Sequence, residues 1–158
     1  MMDMDLQHLA SSIINSVLDK TGRAANMLWL SFVKEEVVYA LNVQCGFRFI
    51  KDGKIIVASG DMYRPAKAFR GKYEEFVWDV QGNNLFDENV DQLLNIEKPK
   101  CIGVFIGNFN DTVITFENGM EIQICTDSSS EEEQWRLFEK GNSRKKHLVV
   151  TPLHYSLE

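Results

Sequence analysis

The chain opens on a helical pattern. Leu6, Leu9, Ala10, Ile13 and Val17 recur at three- and four-residue intervals, and Ile14 and Leu18 widen the stripe. This predicts an amphipathic helix over residues 6–18, broad enough to pack on a sheet or on a partner subunit. Gly22 stands where a helix end often turns left-handed. Strand patterns follow. Residues 27–33 are apolar and aromatic. From Val37 to Phe49 every odd-numbered position is apolar, the period of a strand with one buried face. Gly46 inside so long a run predicts a bulge or bend. Asp52-Gly53 reads as a tight hairpin turn, with a return strand over residues 54–59.

The middle of the chain is less regular. A loop is expected over residues 60–65. Phe76, Trp78 and Val80 alternate, which predicts a short strand, and Gly82-Asn83-Asn84 reads as a turn. Asp87 is placed to cap a short helix carrying Val90, Leu93 and Leu94. In the last third, residues 100–106 form an apolar run. Residues 111–116 and 120–125 flank Asn118-Gly119, a strong hairpin signal. Overlapping Ser-x-x-Glu boxes at residues 128–133 predict a helix that buries Trp135 and Phe138 and ends at Gly141. Residues 147–150 read as a final strand, stopped by Pro152. The elements add up to one α+β domain over residues 1–158: a mostly antiparallel sheet with an N-terminal helix and a C-terminal helix.

Composition narrows the class. With 44% apolar and 25% charged residues the chain is neither disordered nor fibrous. At 158 residues it can bury a core without disulfides or metal. No apolar run is long enough to span a bilayer, and the Met-Met-Asp-Met-Asp start lacks the basic region of a signal peptide. The expectation is a soluble, cytoplasmic protein with no membrane partner. A net charge of −6 argues against nucleic acid as a partner. Cys45, Cys101 and Cys125 are odd in number and far apart, and they read as reduced and buried.

Candidate chemistry is sparse. His8, His147 and His154 have no neighbour at metal-ligand spacing, so no metal is expected. Gly103 and Gly107 flank a strand rather than a phosphate loop, and no cofactor is expected. The charge layout is more informative. Residues 73–97 hold seven acids and no Lys or Arg: Glu74, Glu75, Asp79, Asp87, Glu88, Asp91 and Glu97. Residues 111–133 hold seven more, again with no base between them. Basic residues gather instead at Arg64, Lys67, Arg70 and Lys72, and at Lys140 and Arg144 to Lys146. Such segregation strengthens local fields beyond what the net charge implies. Trp78 lies inside the first window, and an aromatic anchor ringed by acids is a common form of protein-binding hot spot.

Several segments together resemble a known group. Gly46-Phe47-Arg48-Phe49, the stretch from Ile56 to Pro65, Thr115-Phe116-Glu117-Asn118-Gly119 and Glu133-Gln134-Trp135-Arg136-Leu137-Phe138 are similar to small, uncharacterised bacterial immunity-type proteins encoded beside polymorphic or contact-dependent toxins. The resemblance covers residues 46–150. It implies a small cytoplasmic protein, often acidic, that binds a cognate toxin. Joined to the charge layout, it yields the leading expectation: a non-enzymatic inhibitor that occludes the active site of a basic toxin with an acidic face. The contact residues expected on that face are Glu74, Glu75, Trp78, Asp79, Asp87, Glu88 and Asp91. The alternative is a homodimeric structural or regulatory module, paired through the N-terminal helix or a sheet edge. A third option is a small enzyme built on Cys45, Asp61 and His147.

Overall fold

The computed structural model describes residues 4–158. Residues 1–3, the first part of the Met-Met-Asp-Met-Asp start, lie outside the described residues. The chain begins with a short helix, α1 (Met4–Ala10), extended by a 3-10 turn over Ser11–Ile13. Two hairpins follow with two-residue loops: β1 (Val17–Ala24), β2 (Met27–Lys34) and β3 (Val37–Val43). Ala25 and Glu35 take left-handed backbone in those loops. The predicted helix over residues 6–18 is therefore cut in half. Val17 and Leu18 belong to a strand, and Gly22 lies inside β1 beneath the Trp29 ring, where a Cβ would come within 2.3 Å of it.

The alternation from Val37 to Phe49 covers two strands, not one. β3 ends at Val43, and β4 (Gly46–Lys51) begins in a different sheet. The inward phase is kept across the break, since Leu41, Val43, Cys45, Phe47 and Phe49 are all buried. The bend expected at Gly46 is this crossover. β4 turns at Asp52-Gly53, both with positive φ, into β5 (Lys54–Ala58). A long loop leads to α2 (Leu85–Asn89) and a wide π turn over Val90–Leu94. Then come β6 (Cys101–Ile106), β7 (Thr112–Phe116) and β8 (Glu121–Cys125), with Gly119 at φ +87° in the turn between the last two.

No C-terminal helix forms. Residues 128–134 are irregular, and Trp135–Glu139 is strand β9, followed by β10 (Leu148–Val150) and β11 (Tyr155–Leu157). The Ser-x-x-Glu boxes are spent otherwise: Ser128 and Ser130 bond each other, and Glu133 pairs with Arg136. In a strand, residues three apart face opposite ways. Trp135 and Leu137 accordingly point into the core, while the Phe138 ring stacks on His147 at 4.1 Å.

Every strand pairing is antiparallel. One sheet runs β1-β2-β3-β9-β10-β11 and the other β5-β4-β8-β7-β6. They share one core. Phe32 of β2 stacks on Phe116 of β7, and the Trp135 indole N–H of β9 donates to Asn110 O beside β7. The outer backbone of two edge strands is closed by amide side chains. Gln7 of α1 donates to Val104 O at 2.7 Å and accepts from Ile106 N at 2.9 Å on β6. Asn95 does the same to Thr21 N and O on β1, at 3.0 Å each. An unpaired strand edge invites another chain, and these side chains block it.

Candidate partner-binding site

The loop between β5 and α2 is the largest irregular segment of the fold. Loops this long are usually functional or unstructured, and this one is pinned. Ala66 N donates to Asn83 O at 2.7 Å, and Leu85 N to Arg64 O at 2.8 Å, which brings the two ends together. The lobe over residues 66–83 is thus an enlarged Ω-type loop. Phe69 and Phe76 meet edge to face within it, 5.7 Å between ring centres. The strand expected at Phe76, Trp78 and Val80 does not form; these residues lie in turns with no neighbouring strand to pair.

Asn84 joins the lobe to α2. Its backbone is extended, and its side-chain oxygen accepts from Asp87 N at 2.8 Å, the usual capping contact. Its amide also donates to Trp78 O at 2.8 Å. The cap is therefore Asn84, and Asp87 sits one turn into the helix. Asp87 does different work. It is buried, and it accepts Arg23 Nε at 2.8 Å, a second Arg23 nitrogen at 2.9 Å and Gly82 N at 2.9 Å. The same guanidinium reaches Asp79 at 2.9 Å and lies over the Trp78 ring, 5.8 Å from its centre. A two-pronged Arg–carboxylate pair is among the stronger polar contacts. The hydrogen bond that Arg23 donates to Asp87, then the one it donates to Asp79, raise the Arg23 pKa against the opposing effect of burial.

The seven residues expected on an acidic face have different fates. Glu74 and Glu75 are exposed on the lobe, and Glu75 accepts only from Lys72 N at 3.4 Å. Asp91 is exposed and has no ion-pair partner among the described residues. Asp79 is exposed but tied to Arg23. Glu88 holds the base of the lobe by accepting from Lys67 N and Ala68 N, both at 3.0 Å. Trp78 is half-buried between Arg23 and Tyr63, whose ring lies 5.2 Å away. Asp87 drops out of the surface set, because its carboxylate is consumed inside the fold.

The lobe is not uniformly acidic. Lys67, Arg70 and Lys72 are exposed on it alongside Glu74, Glu75 and Asp79. Its apolar surface was not marked by the sequence pattern: Tyr73 is 75% exposed, and Val77 and Val80 about half. Beside it a cleft of about 540 Å³ opens between Tyr63 and Tyr73. The Arg23 anchor was also invisible, since its partners stand 56 and 64 residues away.

Cys45, Asp61 and His147, the residues of the enzyme option, each have contacts of their own. The Cys45 thiol is pushed up to about 12, by burial first and then by Asp127. Asp61 accepts from Ala58 N, and His147 is held by Arg136 and Phe138. Burial lifts Cys101 to about 11. Cys125, expected to be buried, is exposed, because it ends β8 on the outward phase. No cluster of three metal-ligating side chains forms among the described residues, and none of their helices is long and apolar enough to cross a membrane. Comparison with protein-family models, with curated proteins and with solved structures returns no match for this chain.

Proposed function

We propose that this protein is a non-enzymatic binding protein of the immunity type, which neutralises a cognate bacterial toxin by seating the lobe over residues 66–83 across the toxin's active site. The observation that carries the reading is the lobe itself. It is pinned at its base and displays Tyr73, Val77 and Val80 to solvent beside the carboxylates of Glu74 and Glu75, which have no ion-pair partner among the described residues. Exposed aromatic and aliphatic anchors ringed by charge suit a protein partner. A fixed base reduces the ordering cost of binding. Glu74, Glu75 and Asp91 would steer a basic toxin, while Asp79, Asp87 and Glu88 hold the lobe in shape.

The test is protection. Cells expressing the toxin gene adjacent to this one should survive when the wild-type protein is co-expressed. Tyr73→Ala combined with Glu74→Lys and Glu75→Lys should abolish that protection while the thermal melt stays put. Full protection by the triple variant would move the interface elsewhere, and no protection by the wild type would sink the function. The homodimer alternative draws on Ile102 and Phe105, both exposed on β6. Sedimentation at micromolar concentration separates it: a dimer dissociated by Phe105→Glu would favour it. The α1 stripe is not available for pairing, since Leu6, Ala10 and Ile13 are buried in the protein's own core.

A further inference from the structure

The cleft beside the lobe shares Tyr73 with the docking surface but adds a pair of cations that toxin docking does not use. Its walls include Tyr63 and Tyr73, its cations are Arg64 and Lys67, and Gly60, Pro65 and Leu85 complete the lining. We propose that this cleft binds a small organic phosphate bearing a planar ring, with a nucleoside monophosphate as the type ligand. The proposal goes beyond the toxin-binding reading and does not depend on it.

Three observations converge. First, the cations are unspent. Arg23, Lys51, Lys98, Arg136 and Lys145 are each within ion-pair distance of a carboxylate. Among the described residues the Arg64 and Lys67 side chains have no such partner; most cations of the chain share that state, and what sets these two apart is that both line one cleft. Two adjacent cations match a phosphate dianion, and the Arg fork can take two of its oxygens. Second, aromatic faces flank them. Tyr63 is half exposed and braced on Trp78, and Tyr73 is three-quarters exposed. A planar base stacks on such rings. Third, the frame is fixed and the mouth is open. Arg64 N donates to Asp61 O, Arg64 O accepts Leu85 N, and Glu88 holds Lys67 N. At Gly60 an added Cβ would meet nothing within 4 Å. The cleft volume, about 540 Å³, suits a small molecule.

Calorimetric titration of the full chain with adenosine monophosphate, adenosine and inorganic phosphate tests this. Adenosine monophosphate should bind saturably, about tenfold or more tighter than either half alone. Arg64→Ala with Lys67→Ala should weaken it about tenfold or more without moving the melt. Tyr73→Ala should weaken it about fivefold or more. Phosphate binding as tightly as the nucleotide would reduce the site to an adventitious anion patch and overturn the proposal. So would nucleotide binding that is indifferent to the double substitution, or no saturable binding in the millimolar range.

Discussion

The two acidic windows carry the same linear signal, seven carboxylates and no base, yet the fold treats them differently. In the second window nearly every acid is absorbed locally. Asp111 accepts from Thr126 N and its hydroxyl, Glu117 from Lys100 N, and Asp127 from Gly46 N. Glu131 meets Thr151 and His154, and Glu133 meets Arg136 and Gln44. These residues sit in the turns flanking β7 or in the crossover from β8 to β9, where backbone and side-chain donors lie within reach. In the first window the acids at the helix end are absorbed, but Glu74 and Glu75 ride on a lobe that projects from the sheets. Charge density along a chain therefore does not set the surface field. The structural element carrying the acids decides how many remain for a partner.

The comparison can be sharpened by substitution. The largest effect is expected at Trp135, just past the second window and 1% exposed. Trp135→Ala should cost about 3–5 kcal/mol in denaturant unfolding, whereas Trp78→Ala, in the half-buried lobe, should cost clearly less. Equal losses would mean that the lobe is as much core as the sheets. Next comes Asp87→Ala, at about 3 kcal/mol. The low end of the range for a broken buried pair applies because Arg23 keeps Asp79. Asp91→Ala, four residues on, should stay within about 0.5 kcal/mol. Asp111→Ala strands Thr126 N and should cost about 1–2 kcal/mol.

A smaller effect separates the windows by pH. The Thr151 hydroxyl, then His154, hold the Glu131 carboxyl below its ordinary 4.5. The carboxylate form is thus favoured by the fold. Its contribution is intact above pH 4.5 and is lost as pH falls through the lower folded value. Glu131→Gln should remove that part of the acid dependence, and an NMR titration should place Glu131 below 4.5; a midpoint at or above 4.5 would contradict the contact. Thiol labelling gives the last contrast. Cys125 should react in the folded protein, and Cys45 and Cys101 only on unfolding, because burial disfavours their thiolates.

Local chemistry was legible where it is self-contained. Asp52-Gly53 and Asn118-Gly119 specify their hairpins with residues that accept positive φ, and no distant contact has to agree. The antiparallel character followed from such turns. The N-terminal helix was legible in kind but overran, because Val17 and Leu18 continue the helical spacing while their backbone is claimed by Val33, Phe32 and Pro99. The last helix failed for a related reason. Trp135 to Glu139 also fits a two-residue period, and β3 on one side and β10 on the other supply the pairing. In the candidate site, exposed Glu74 and Glu75 were readable from charge alone. The inward turn of Asp87 was not, since it depends on an arginine on the opposite side of the sequence. Nor was the exposure of Tyr73, because an aromatic residue in an irregular segment carries no phase.

The Gln7 contact with β6 also has a meaning in time. Its backbone partners stand 97 and 99 residues further along the chain. At a synthesis rate of about 5–20 residues per second, the wait is roughly 5–20 seconds. A seven-residue helix has no stability alone over that interval. The first described segment to be made is thus among the last to find its place, and the β6 edge stays open until it does. A chain that has made β6 but not yet docked its first helix would expose the strand to its neighbours. Shortening the N-terminus past Gln7 should therefore show itself first as aggregation during synthesis, before any change in the finished protein's binding.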